Sequence, residues 1–400
     1  MNSTKQRLLV AAGTLATFLA GTAVIAQSGT DTAPEARYEM DVGTTAGIMG
    51  QSDTREMTLR LGSRLAATGG APKADHFLPD GMRMGLSVPL TSPEPGKLPV
   101  EKQDDPEEKF QRPKGRLLIF WGCGAHAGPG QPVVIDFSKM AKGQIPPDLF
   151  SARIPAETGP RPGNSRTYGD WPNGKSRAQV SKQSSLIGQH RIAGNYSPEI
   201  AFALTQDFMP PPRVKSGQAP DGSTPLNWSP VPAATGYYAW AMSAKDNGKD
   251  SSDMVWWASS SSRQFGGDLW SWLSPATVNR LIGQKIVMPP SQTSCTIPAE
   301  VKAAGGEMMM GFMNAFGPEA NFAFPERPRD PKIAWHPKWT AKVRYRSTGN
   351  FMPGMPSMGE MMMGQQGDKP GDKPEEKPKP CKPKLGGFLK KAAGLGGSGC

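Results

Sequence analysis

The run RLLIFW, from Arg116 to Trp121, is apolar enough for a buried strand, and it stops at the glycine-rich turn GCGAHAGPGQP. Val133 to Phe137 (VVIDF) resumes the strand pattern, so the two segments read as paired strands joined by a long loop. The same signal recurs. Tyr38, Met40 and Val42 alternate with polar residues, as do Met57, Leu59 and Leu61, and further strands are expected near Leu186 to Ile192 and Ile200 to Leu204. Glycine supplies 47 and proline 41 of the 400 residues, and 37% are hydrophobic. That balance suits short strands, long loops and disordered connections. The expected fold class is mainly β: two β-sandwich-like domains followed by a disordered C-terminal tail.

The N-terminus carries the three parts of a bacterial-type secretory signal peptide, residues 1–26. Lys5 and Arg7 form the positive region, Leu8 to Ile25 an uncharged apolar run, and Val24-Ile25-Ala26 the small-residue site for cleavage before Gln27. The run is also long enough for a membrane anchor. Gly13, Gly21, the threonines and the cleavage site favour removal instead. No second long apolar run follows, so the expected protein is exported, whether periplasmic, outer-surface or extracellular, with no transmembrane segment after cleavage. The formal charge is +11, of which Lys5 and Arg7 contribute two. The rest suits non-specific attraction to an anionic cell-envelope surface. No helix-turn-helix, zinc-finger or RNP pattern is present, which argues against specific nucleic-acid reading.

Residues 27–115 read as an N-terminal extension with short strands, closing in the proline- and charge-rich linker TSPEPGKLPVEKQDDPEEKFQRPKG. A β domain is expected over 116–208 and a second over 209–350. The second contains LNWSPVPAATGYYAWAM, then TSCTIP, then MMMGFMNAFGPE. In its Trp, its turn, its paired tyrosines and its later strands, the stretch from about 210 to 325 resembles a fibronectin type III domain. The resemblance implies a seven-stranded sandwich with Trp228 and Tyr237 in the core. Two features depart from the family: Met309 stands where a Tyr usually opens the sixth strand, and a long excursion separates Met242 from Thr293. Within the excursion a helix is expected over Pro275 to Ile282, capped by Ser274. Residues 326–350, with KVRYR, can supply the last strand, and the cluster Met308-Met309-Met310 reads as core.

No H-E-x-x-H, G-x-S-x-G or P-loop occurs, and the glycines after Trp121 precede a strand rather than a helix, unlike a dinucleotide fingerprint. Cys123 and His126 could make a thiolate–imidazole pair, but a disulfide at Cys123 would remove it. The four cysteines allow three pairings. Cys123 with Cys295 is expected in the body, with Cys381 and Cys400 in the tail and a free buried thiol as the alternative. Trp256, Trp257, Trp270 and Trp272 crowd the excursion and could form a platform for a glycan or protein partner, or an extra core layer. Met352, Met355, Met358 and Met361 recur every third residue in the tail, 351–400. With Pro353 and Pro356 that spacing suits polyproline II and a soft thioether site for Cu(I). The alternative is a neutral low-complexity linker, as is usual for the Lys/Pro-rich segment after it. The expected function is a non-enzymatic, envelope-associated binding or adhesion protein with no required cofactor. The runner-up is a periplasmic Cu(I)-binding protein, and less favoured is a hydrolase of unrecognised type.

Overall fold

The alternating apolar runs form strands. The structure, a computed structural model, describes residues 30–48, 51–93, 115–140, 159–173, 176, 179–248, 251–264 and 267–353. The expected signal peptide and the tail beyond Pro353 lie outside these residues. The strands are β1 (Ala36–Thr45), β2 (Thr54–Ser63), β3 (Ala74–Phe77), β4 (Ser87–Leu90), β5 (Arg116–Trp121), β6 (Val133–Asp136), β7 (Thr167–Trp171) and β8 (Gly188–Gly194). They continue as β9 (Ile200–Leu204), β10 (Val214–Ser216), β11 (Thr224–Trp228), β12 (Gly236–Asp246), β13 (Ser252–Ala258), β14 (Ser294–Ile297), β15 (Met309–Phe324) and β16 (Trp339–Phe351). Three short helices, α1 (Phe137–Met140), α2 (Pro275–Gly283) and α3 (Ala299–Ala304), complete a mainly β chain. Helix α2 begins as its sequence dictates: Pro275 needs no N–H partner in the first turn, and the Ser274 hydroxyl accepts from the Thr277 N–H at 3.3 Å.

Nine strands make one sheet in the order β6-β5-β13-β12-β15-β16-β1-β2-β7. Its pairings are antiparallel except β1 with β16 and β5 with β13, which are parallel. The divisions expected at 115/116 and 208/209 run through this sheet. It takes β1 and β2 from the first segment, β5 to β7 from the second, and β12, β13, β15 and β16 from the third. Alternation tells which residues form a strand, but a parallel partner must come from far along the chain and leaves no local mark.

One face of the large sheet carries Tyr38, Met40, Val42, Leu59, Leu61, Val343, Tyr345, Tyr237, Trp257 and Met313, all buried. Two smaller sheets pack on it. One is β4-β3-β8-β9, antiparallel throughout, whose Phe202 ring meets Tyr38 at 6.1 Å and Phe322 at 4.8 Å. The other is β10-β11-β14, whose Trp228 meets Tyr237 edge-on at 5.6 Å. The Tyr237 hydroxyl accepts from the Val231 N–H at 2.8 Å, which settles the polar end of a buried ring. A disulfide between Cys123 and Cys295 ties β14 to the loop after β5. The methionine cluster divides with the strand period: Met309 is buried, while Met308 is 61% exposed rather than core.

The opposite face holds charge. Glu39 and Asp41 project from β1 beside Arg344 of β16 and Arg60 of β2. Arg344 Nε donates to Asp41 Oδ1 at 2.6 Å and its Nη2 to Glu39 Oε1 at 2.8 Å. Arg60 Nη1 reaches both carboxylates, at 2.8 and 2.6 Å. Burial and the neighbouring Asp41 push the Glu39 carboxyl up, and the two guanidinium groups pull it back. Removing a partner from such a network strands a buried charge. Arg344→Met is therefore expected to cost about 3–5 kcal/mol, read as a lower denaturation midpoint. A loss under about 1 kcal/mol would show that Arg60 alone satisfies both carboxylates.

Candidate functional site

The excursion tryptophans do not form an exposed platform. Trp256 and Trp257 are neighbours on β13, so they point to opposite faces of the sheet, and both faces are covered. Trp257 is 0% exposed, and its Nε1 donates to Gly122 O at 2.9 Å. Trp256 stacks on Trp240 at 4.8 Å, and Trp240 stacks in turn on Phe312 at 4.3 Å. Trp272 is half-buried, with its Nε1 donating to Val42 O at 2.9 Å and Arg346 over its ring at 4.0 Å. Only Trp270 of the four keeps much of its surface open, at 36%. Trp256, Trp270 and Trp272 form a core layer on the charged face with Trp240 and Phe312 from other strands, while Trp257 belongs to the apolar face.

Cys123 is oxidised in the disulfide, so it offers no thiolate. His126 sits at the surface, 3.1 Å from Glu300 Oε1. Met352 is half-buried and its carbonyl accepts from Ser216 Oγ at 3.0 Å. Met355, Met358 and Met361, like Cys381 and Cys400, lie outside the described residues.

Two other constellations stand out. The first lies between the large sheet and the four-stranded one. Tyr38 Oη lies 2.8 Å from His76 Nδ1, His76 Nε2 lies 2.9 Å from His190 Nδ1, and His190 Nε2 lies 2.8 Å from Leu186 O. The carbonyl can only accept, so His190 Nε2 carries the proton, His76 Nε2 donates to His190, and Tyr38 donates to His76. Every polar atom in the row is satisfied with both imidazoles neutral. Burial, and the adjacent His190, hold His76 well below its ordinary pKa; burial also lowers His190, against the hydrogen bond to Leu186.

The second is an open cleft of about 640 Å³ at the end of β1 and β2. The end of β1 supplies Thr44, the turn and start of β2 supply Gln51, Ser52, Asp53 and Arg55, and the turn before β8 supplies Lys182. Its remaining wall is Phe208-Met209-Pro210-Pro211 with Arg213, the connection from β9 to β10. That connection lies tight against the sheet because glycines make room. A Cβ on Gly349 would sit 2.2 Å from Pro212 O, and one on Gly317 2.4 Å from Met209 Sδ. The Arg55 guanidinium lies over the Phe208 ring at 4.8 Å and donates to Ser184 O. Lys182 Nζ is 3.3 Å from Ser52 Oγ, and Arg213 pairs with Asp53 at 2.5 Å. Three cations therefore face a single carboxylate among these lining residues. The walls offer no thiolate, imidazole or carboxylate pair to do chemistry. Sequence reasoning missed this cleft: its cations come from three separate polar segments, and only the MPPPR run hinted at a rigid wall.

No protein-family model, curated protein or solved structure matches the chain. Among the described residues no group of three or more His, Cys, Asp and Glu is placed to hold a metal ion, and no helix is long and apolar enough to cross a membrane.

Two outcomes follow from these contacts. His76 and His190 titrate below their unfolded value, so unfolding takes up protons as pH falls through about 6.5. Stability should be full above that pH and decline toward pH 5, by up to about 1.4 kcal/mol per pH unit for each histidine. A flat denaturation midpoint from pH 7.5 to 5 would contradict it. The disulfide closes a sequence separation of 172 residues. Replacing both Cys123 and Cys295 with Ser should cost about 2–5 kcal/mol of stability in urea unfolding.

Proposed function

We propose that this is an exported, non-enzymatic binding protein of the cell envelope, and that it takes an anionic ligand in the cleft beside β1 and β2. The observation that carries the reading is the charge of that cleft: Arg55, Lys182 and Arg213 against Asp53. Fixed cations on a partly apolar wall attract and orient an anion without consuming it. Export rests on residues 1–26, and a disulfide in the body suits an oxidising compartment. The fibronectin type III-like reading of the second half is also part of this proposal. Strand order supports it: β10-β11-β14 lies against β13-β12-β15-β16, with Trp228 and Tyr237 between. On that reading β1, β2 and β5 to β7 extend the sandwich's larger sheet at both edges. The Cu(I) alternative depends on Met355, Met358 and Met361, outside the described residues, together with Met352, and no observation favours it.

The test is co-sedimentation of the mature chain with lipopolysaccharide and with peptidoglycan, beside a triple variant, Arg55→Ala, Lys182→Ala and Arg213→Ala. Wild type should bind at least one of them, more weakly as salt rises from 50 to 200 mM, a change of about twofold in Debye length. The triple variant should bind about tenfold or more weakly, the equivalent of one charge-assisted contact. Equal binding by wild type and variant would remove the cleft from the function.

A further inference from the structure

Beneath the cations of the cleft lies a polar group with nothing to bond. Thr44 lines the cleft and is 5% exposed, yet its Oγ1 has no hydrogen-bond partner among the described residues. Its register partner on the parallel strand β16 is Ser347, which is fully buried with an equally unpartnered Oγ. Partners in register point to the same side of a sheet. Two hydroxyls therefore lie side by side at the end of β1 and β16, and buried polar groups are rarely left this way without a ligand, ion or water to satisfy them.

We infer that Thr44, Arg55, Lys182 and Arg213 form a subsite for a phosphate monoester. This rests on the reading of the cleft as an anion site and gives that anion a chemistry. The sign of the site follows from its donors: guanidinium and ammonium groups line the same cleft as a hydroxyl that can donate, so the ligand's inner end must accept. The charge follows from the count. Three cations less the one carboxylate leave an excess of two, and a phosphate monoester carries about −1.5 to −2 at neutral pH. A carboxylate offers half that charge. The size follows from the walls. A bare phosphate would leave most of the roughly 640 Å³ empty, whereas an esterified body can lie on Phe208, Pro210 and Pro211. Arg55 is already held in place by the Phe208 ring and the Ser184 carbonyl, and Arg213 by Asp53, so little side-chain freedom is lost on binding.

The same ester can come from a soluble metabolite or from a lipid headgroup, and the experiment separates them. Calorimetric titration of the mature chain with glycerol 3-phosphate is run beside glycerol and sulfate. Flotation is run with phosphatidylcholine vesicles with and without phosphatidic acid. Saturable binding of glycerol 3-phosphate, tighter than sulfate and absent for glycerol, supports the subsite with a soluble source. Binding only to the phosphatidic acid vesicles supports it with a lipid source. In either arm Thr44→Val should weaken binding about tenfold, the worth of one hydrogen bond to a charged group, and Thr44→Ser should restore it. Both variants should melt like wild type, since the hydroxyl has no partner to lose. The inference is overturned if neither form of the ester binds, or if Thr44→Val binds as wild type does. If lipopolysaccharide or peptidoglycan binding still depends on the three cations, the anion-binding cleft stands and only its assignment to a phosphate ester falls. If that dependence is missing as well, both readings fall together.

Discussion

Arg344 reaches from β16 to the carboxylates of Asp41 and Glu39 on β1, across a sequence separation of 303 residues in the case of Asp41. The two strands run parallel through ten paired positions near the middle of the nine-stranded sheet. On one side of this seam lie β2 and β7; on the other lie β15, β12, β13, β5 and β6. Without it the sheet would fall into two parts, and the small sheets would have no common floor. The charges at the seam bring a desolvation cost that only their mutual pairing offsets. Hydrophobic burial on the opposite face supplies the net stability, and the ion network supplies the register.

The cleft is a by-product of the same seam. Thr44 and Ser347 are the last buried pair of β1 and β16 before the strands diverge toward the hairpin turn and the chain's exit. The connection from β9 to β10 has to cross the sheet there, and three consecutive prolines, Pro210 to Pro212, keep it extended with few donors of its own. A rigid wall poor in free N–H groups leaves recognition to side chains. Arg55 and Arg213 are each immobilised by an aromatic ring or a carboxylate. This is how a loop-built cleft can still be pre-organised.

Local features of the fold were legible in the sequence. RLLIFW and VVIDF form β5 and β6 as neighbours, and Ser274-Pro275 opens α2, because strand alternation and helix capping are decided within a few residues. Pairing over distance was not. Nothing in TREMTLRLGS or TYGDW says that β7 will close one edge of a sheet that β6 closes at the other. The tryptophans show the same limit from the side of the site. Their crowding near 256–272 was visible, but Trp256 and Trp270 meet Trp240, itself stacked on Phe312, only once β12 and β15 are in place. The cleft was the least legible feature, since Arg55, Lys182 and Arg213 sit in unremarkable polar stretches and acquire a common direction only from tertiary structure.

The parallel seam also sets an order of events. A ribosome completes β1 and its hairpin partner β2 long before β16 exists. At about 5–20 residues per second the wait across those 303 residues is roughly 15 to 60 s. During it the outer edge of β1 is an open template for the wrong strand. Glu39 and Asp41 sit on that edge with Arg60 as the hairpin cation that bonds them, so two carboxylates share one guanidinium where an intruding strand would lie. An apolar or acidic intruder would leave that charge uncompensated. Only a strand that delivers an arginine opposite Asp41 relieves it, so the residues that clamp the finished sheet also guard its edge while the chain is still being made.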